Sequence, residues 1–148
     1  MKDETRVIHS GEHDAHFEGA VSIPIFQSAN FISSPESNYH KIRYIRLNNT
    51  PNHDVLHQKL SELEKGEAAL VTASGMGAIS TTFLAVLRPG DHLLAQECLY
   101  GGTLSFFLQD LKDLGVSVSW IDLNHPEEWK KELRANTKAV MLNPFLTH

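Results

Sequence analysis

Between residues 68 and 142, short apolar runs alternate with helix-length segments, and this alternation limits the fold more than any other feature of the chain. Residues 68–72, 92–96, 116–121 and 138–142 read as strands, with β-branched Val116 and Val118 on alternating positions. Residues 78–87, 103–114 and 126–134 read as the helices between them. Arg88-Pro89-Gly90-Asp91 and Gly115 stop the first two, and Pro126 suits the first turn of the third. Strands separated by helices at this spacing argue for βαβ units and a mainly parallel sheet. An earlier helix is expected over 52–65, where Leu56, Leu60 and Leu63 recur on one face, Asn52 or Asp54 caps the start and Gly66 ends it.

The last expected strand comes six residues before position 148, and no helix follows to cover the sheet as a parallel sheet requires. Residues 51–148 are therefore expected to be the first part of a larger α/β domain, with a small complete α/β domain as the alternative. Residues 1–50 read differently. They hold four of the nine histidines and two prolines, and their apolar stretch from Ala20 to Phe26 is interrupted by Pro24. Ser33-Ser34-Pro35-Glu36-Ser37 reads as a turn or cap. So long an irregular segment is costly within a compact domain, so an arm packed on a partner subunit is expected, a disordered tail being the other option.

The chain has 148 residues, 41% hydrophobic and 21% charged, which suits one globular domain with a modest core. A net charge of −5 gives no support to nucleic-acid binding, though backbone donors can hold an anion whatever the net charge. No apolar run approaches the roughly 20 residues of a membrane span. The N-terminus lacks a signal-peptide core, and cytoplasm is the expected compartment. Cys98, the one cysteine, excludes an internal disulfide and a cysteine-rich metal site.

Two turns carry the strongest chemical signal. Thr72-Ala73-Ser74-Gly75-Met76-Gly77-Ala78 lies between an expected strand and an expected helix, where free N–H groups bind phosphate and Gly75 and Gly77 allow close approach. Ser74 would cap the helix or donate to the anion; a plain capped turn is the other reading. Tyr100-Gly101-Gly102-Thr103 follows the next strand and so lies at the same sheet edge, where ligands of open α/β sheets collect. Tyr100 would lay its ring on a planar ligand, or pack over its own turn. In the arm, Tyr44 and Arg46 are two apart, share a face if the segment is a strand, and together could hold phosphate oxygens; a solvated polar stretch is the simpler reading.

The histidines do not make a metal site by spacing. His9, His13 and His16 with Asp14, and the pair His53 and His57, lack a third ligand at a recognised interval, so no metal is expected. Nor does any arrangement pair Cys98 with His92 as a nucleophile and base.

Taken in order, Thr5-Arg6-Val7-Ile8-His9-Ser10-Gly11, Ile23-Pro24-Ile25-Phe26-Gln27-Ser28, Tyr44-Ile45-Arg46, Leu63-Glu64, Ser74-Gly75-Met76, Pro89-Gly90-Asp91-His92 and Tyr100-Gly101-Gly102-Thr103 cover nearly the whole chain. This series resembles the cystathionine γ-synthase, cystathionine lyase and methionine γ-lyase family of pyridoxal-phosphate enzymes. The resemblance implies part of the large domain of the aspartate-aminotransferase type fold, preceded by the arm. It implies pyridoxal 5'-phosphate as cofactor, with Ser74, Gly75 and Met76 at its phosphate. It implies that Tyr100 stacks on the pyridine ring and assists proton transfer. Tyr44 and Arg46 would reach the phosphate held by a neighbouring subunit, in a homodimer or homotetramer.

Three departures stand beside it. The family's Asn-Pro-Thr after the arm arginine is Asn49-Thr50-Pro51 here, and the acidic residue and later Asn-Pro expected after the last strand are replaced by Asn143-Pro144-Phe145-Leu146-Thr147-His148. The Schiff-base lysine and the aspartate at the pyridine nitrogen are expected beyond the region covered, since no lysine here matches. The expected function is therefore elimination or replacement on a sulfur amino acid or O-acylhomoserine, in a chain inactive by itself. The alternatives are a non-catalytic remnant that binds the cofactor or phosphate, and an unrelated α/β binding domain.

Overall fold

The structure, a computed structural model, describes residues 2–11, 17–33 and 38–143. The turn expected at 33–37, apart from Ser33, lies outside them, as do His13, Asp14, His16 and the tail after Asn143. The chain divides into two compact units, Met1–Val71 and Thr72–His148.

The first unit holds two α-helices among the described residues, α1 (Asp3–His9) and α2 (Pro51–Leu63), with 3₁₀ turns at Phe17–Gly19, Tyr39–Lys41 and Ile45–Leu47. Helix α1 was not expected from the sequence; seven residues give little periodicity to read. It is held by packing. Lys59 Nζ donates to the Ile8 carbonyl at 2.9 Å. Gly11, at φ 79°, lets the chain lie against α2, since a Cβ there would sit 2.8 Å from the Val55 carbonyl oxygen.

Helix α2 forms where expected, but neither Asn52 nor Asp54 is its cap. Thr50 is, because Pro51 fills the first helical position and needs no donor there. His53 Nδ1 accepts from the Thr50 N–H at 3.3 Å and lies 2.7 Å from its hydroxyl. Asn52 instead pins the arm, donating to the Phe26 carbonyl at 2.8 Å and accepting from the Phe26 N–H at 3.0 Å.

The second unit is a three-stranded parallel sheet in the order β2-β1-β3, with β1 at His92–Gln96, β2 at Ser117–Ile121 and β3 at Thr137–Met141. All five residues of β1 are buried, as a central parallel strand requires. Helix α3 (Gly75–Val86) precedes β1. Between β1 and β2 the chain runs through α4 (Gly101–Ser105), a π-helical stretch (Phe106–Asp110) and α5 (Leu111–Asp113). Phe107 is the centre of the core: its ring meets Phe83 of α3 edge-on at 4.9 Å and lies 6.5 Å from Trp120 of β2. Between β2 and β3 the expected helix over 126–134 is only a 3₁₀ turn at Pro126–Glu128 and α6 (Trp129–Glu132), ending where Leu133 turns extended.

One expected strand is absent. Residues 68–72 form no ladder with any described strand, and Leu70 is exposed. Apolar composition alone makes no strand; its backbone groups need a neighbour, and β1 already has one on each side.

Candidate functional site

The site is assembled at the ends of the strands. Helix α3 starts at Ser74, whose hydroxyl accepts from the Gly77 N–H at 2.9 Å, while its carbonyl accepts from Ala78 at 3.0 Å. Thr72 Oγ1 donates to the same carbonyl at 2.8 Å and fixes the turn. The N–H groups of Gly75 and Met76 come too early in the helix to find an intrahelical acceptor, so they point outward at its positive end. Nothing described lies within 4 Å of where a Cβ on Gly75 would be, so a ligand can approach this backbone directly.

The second turn follows β1. Tyr100 precedes α4 and accepts the Leu104 N–H at its carbonyl, at 3.0 Å. Its ring folds back over Gly102, where a Cβ would meet Tyr100 Cε1 at 2.8 Å and Met76 Sδ at 3.2 Å. Two thirds of Tyr100 is nevertheless exposed, with the ring free to be covered. Thr103, almost fully buried, donates through its hydroxyl to Met76 Sδ at 3.6 Å.

These turns face one cavity of about 350 Å³, lined by Ser74, Gly75, Met76, Ile79, Leu99, Tyr100, Thr103, Met141 and Asn143. Its wall is apolar at Ile79, Leu99 and Met141, and the first N–H groups of α3 open onto it beside the polar side chains of Tyr100, Thr103 and Asn143. That combination fits a flat apolar ring carrying a phosphate. Ser74, Gly75, Met76 and Tyr100 thus line one cavity, although the first turn follows a segment without a ladder rather than a strand.

Tyr44 and Arg46 belong to the first unit. They do not share a strand face: Tyr44 makes one isolated antiparallel bridge with Asn30, and the chain then enters the 3₁₀ turn Ile45–Leu47. The turn still brings the side chains together. Arg46 Nε donates to the Tyr44 hydroxyl at 2.8 Å, with the guanidinium 5.3 Å from the ring centre. Both line a separate open cavity of about 410 Å³ with Asn30, Tyr39 and Arg43 among its walls.

Other candidates resolve into structural roles. His53 caps α2, and the His53 and His57 rings are 6.2 Å apart. Among the described residues no three His, Cys, Asp or Glu side chains gather as a metal site. His92 and Cys98 lie at and beyond opposite ends of β1. No described helix is long and apolar enough to cross a membrane.

Sequence reasoning named Thr103 only as part of the Tyr100 turn and did not place Asn143 at this cavity. Asn143 was readable, since it follows β3 and ligands gather beyond the carboxyl ends of strands. The contact of Thr103 with Met76 was not, because it spans 27 positions.

The family model for Cys/Met metabolism PLP-dependent enzyme matches residues 4–145. An L-methionine gamma-lyase of Porphyromonas gingivalis is 38% identical over 149 residues, covering 93% of this chain and 36% of that protein. A cystathionine gamma-lyase of Bacillus subtilis is 35% identical over 150 residues, covering 99% of this chain and 39% of that protein. The chain therefore spans well under half the length of these relatives. Among solved structures, metB from Corynebacterium glutamicum matches with a TM-score of 0.88 at 28% identity, over 99% of this chain and 39% of that one. Cystathionine gamma-lyase from Lactobacillus plantarum, complexed with L-serine, matches with a TM-score of 0.86 at 30% identity, over 99% and 39%.

Proposed function

Since the chain belongs to the Cys/Met metabolism PLP-dependent enzyme family and has the α/β architecture of part of the fold-type I PLP enzymes, we propose that its second unit supplies the phosphate and ring contacts of a pyridoxal-phosphate site. The supporting observation is the convergence of the Ser74–Met76 turn and Tyr100 on one cavity. The Gly75 and Met76 N–H groups and the Ser74 hydroxyl would hold the phosphate. The exposed Tyr100 ring would lie on the pyridine, and its hydroxyl would carry a proton to or from the substrate. When bound, the cofactor serves as the electron sink that lets bonds at the α and β carbons of an amino acid break.

The reaction class that follows is elimination or replacement at the γ or β carbon of a sulfur amino acid or an O-acylhomoserine. The relatives carry names of both lyases and a sulfhydrylase, which supports the class without choosing within it. Tyr44 and Arg46, already paired, would present a guanidinium to the phosphate held by a neighbouring subunit. The arm, with Val21, Ile25 and Ile32 exposed, would pack on that subunit in a homodimer or homotetramer.

Among the described residues that line the cavity there is no lysine, and the family's Schiff-base lysine has no match in the sequence. We therefore assign this chain a partial site, which holds the cofactor through phosphate and ring without covalent attachment and does not turn over alone. The test is titration of the purified chain with pyridoxal phosphate, followed by borohydride reduction and peptide mass mapping. Saturable binding without a reducible adduct at one lysine is expected. A single adduct on a defined lysine would overturn the partial-site assignment, and absence of saturable binding would overturn the cofactor site.

A further inference from the structure

We infer that Gln96 is a positioning residue of the cavity, tying its Tyr100 wall to its Asn143 wall; this rests on the cofactor reading above. Gln96 ends β1, the strand buried at every position, and is itself 1% exposed. A primary amide so placed is costly unless its donors and acceptor are used. Its Nε2 donates to the Cys98 carbonyl, and its Oε1 accepts from the Asn143 N–H. The two partners lie on different segments. Cys98 is in the turn that leads to Leu99 and Tyr100, and Asn143 follows β3.

Leu99, Tyr100 and Asn143 line the cavity, whereas Gln96 does not. The amide therefore acts from behind the wall. The ladder between β1 and β3 ends where Ala95 pairs with Met141, so beyond it Gln96 supplies a link that the backbone no longer makes. The start of α3 has its own support, from Thr72 and the Ser74 cap, and its bond from Thr103 in the Tyr100 turn ends on the Met76 sulfur and not on the N–H groups of Gly75 and Met76. Gln96 should then matter to the ring of a bound cofactor and not to its phosphate.

That separation can be measured on the full chain. Inorganic phosphate and pyridoxal phosphate are titrated separately while the Gly75, Met76 and Tyr100 backbone amides are followed by NMR. The variants are Gln96→Met, which removes both bonds at similar volume, and Gln96→Glu, which keeps the acceptor for Asn143 but sets a carboxylate against the Cys98 carbonyl. Wild type should bind both ligands at Gly75 and Met76. Each variant should bind inorganic phosphate as wild type does but pyridoxal phosphate about tenfold more weakly, the loss expected for one or two neutral hydrogen bonds. Equal pyridoxal-phosphate affinity in wild type and variants would overturn the inference. So would parallel loss of both ligands, which would make Gln96 a general structural residue. If Gln96→Met does not fold, Gln96→Glu decides between these outcomes. Failure of wild type to bind either ligand at Gly75 and Met76 would instead overturn the cofactor reading itself.

Discussion

The Thr103 hydroxyl lies 3.6 Å from the sulfur of Met76, so the helix that starts after Tyr100 is fastened to the helix that starts after Ser74. The contact joins two turns 27 positions apart at the place where both face the cavity. A hydrogen bond to sulfur is weak, and burial of Thr103 supplies much of its effect.

Gly102 permits that approach. In Gly102→Ala the new Cβ would meet the Tyr100 ring at 2.8 Å and the Met76 sulfur at 3.2 Å. The largely exposed ring can swing away, and alanine favours a helix over glycine by about 1 kcal/mol. Unfolding stability should therefore stay level or rise slightly. Affinity for pyridoxal phosphate should fall, because a displaced ring would lose the proposed stacking. Urea denaturation together with a cofactor titration checks both signs, and a loss of stability without loss of affinity would contradict the argument.

Ser74 caps α3 and has a proposed part at the phosphate, and two substitutions separate them. Ser74→Ala removes the bond from Gly77 and should cost about 1 kcal/mol of stability. Ser74→Asp keeps a good cap, so stability should match wild type. Its negative charge, however, stands where the phosphate would sit, and phosphate binding should be lost in that variant. Chemical denaturation and a phosphate titration of both variants test this.

The fold was legible to the extent that its segments carry local signals. β1, β2, β3 and the helical segment between β1 and β2 follow from apolar runs separated by stops such as Gly115, which takes φ 78° as a helix-ending glycine does. Residues 68–72 carry the same apolar signal and form no ladder, because pairing is decided by neighbours that composition does not describe. The cap of α2 was misplaced by two or more positions because His53, an uncommon partner, completes it with Thr50. The site was legible where a turn follows a strand, as at Tyr100. Gln96 and the Thr103–Met76 contact were hidden, since each depends on a partner distant in sequence.

Phe107 tests where the stability of the second unit resides. It is 1% exposed and contacts rings from α3, its own helix and β2. Phe107→Ala should cost about 3–5 kcal/mol, the usual loss for a buried aromatic ring and its cavity. The neighbouring Leu108 is half exposed, and Leu108→Ala should cost well under that. Urea denaturation of the two variants should differ sharply. Similar losses would mean that the ring cluster is not the core.

His92 gives the unit a definite pH response. It is fully buried at the start of β1, with Nδ1 2.8 Å from Thr137 Oγ1 and Nε2 without a partner among the described residues. Burial lowers its pKa below the ordinary 6.5, the positive charge of Arg134 lowers it further, and Glu132 opposes both. Burial and Arg134 thus favour the neutral imidazole in the folded chain. Below about pH 6.5 the unfolded chain takes up a proton that the folded chain refuses. Stability from this group is complete above that pH and is lost as pH falls from the unfolded pKa through the lower folded one. His125 has the opposite sign: its hydrogen bond with Asp122 raises its pKa, so its contribution is present in acid and fades as pH rises through the raised value. Comparison of wild type with His92→Gln, both of which retain His125, isolates the buried group. The urea midpoint of wild type should drop more steeply than that of His92→Gln below about pH 6.5, with parallel curves above it. Equal slopes through the acid range would show that His92 titrates alike in the folded and unfolded chains.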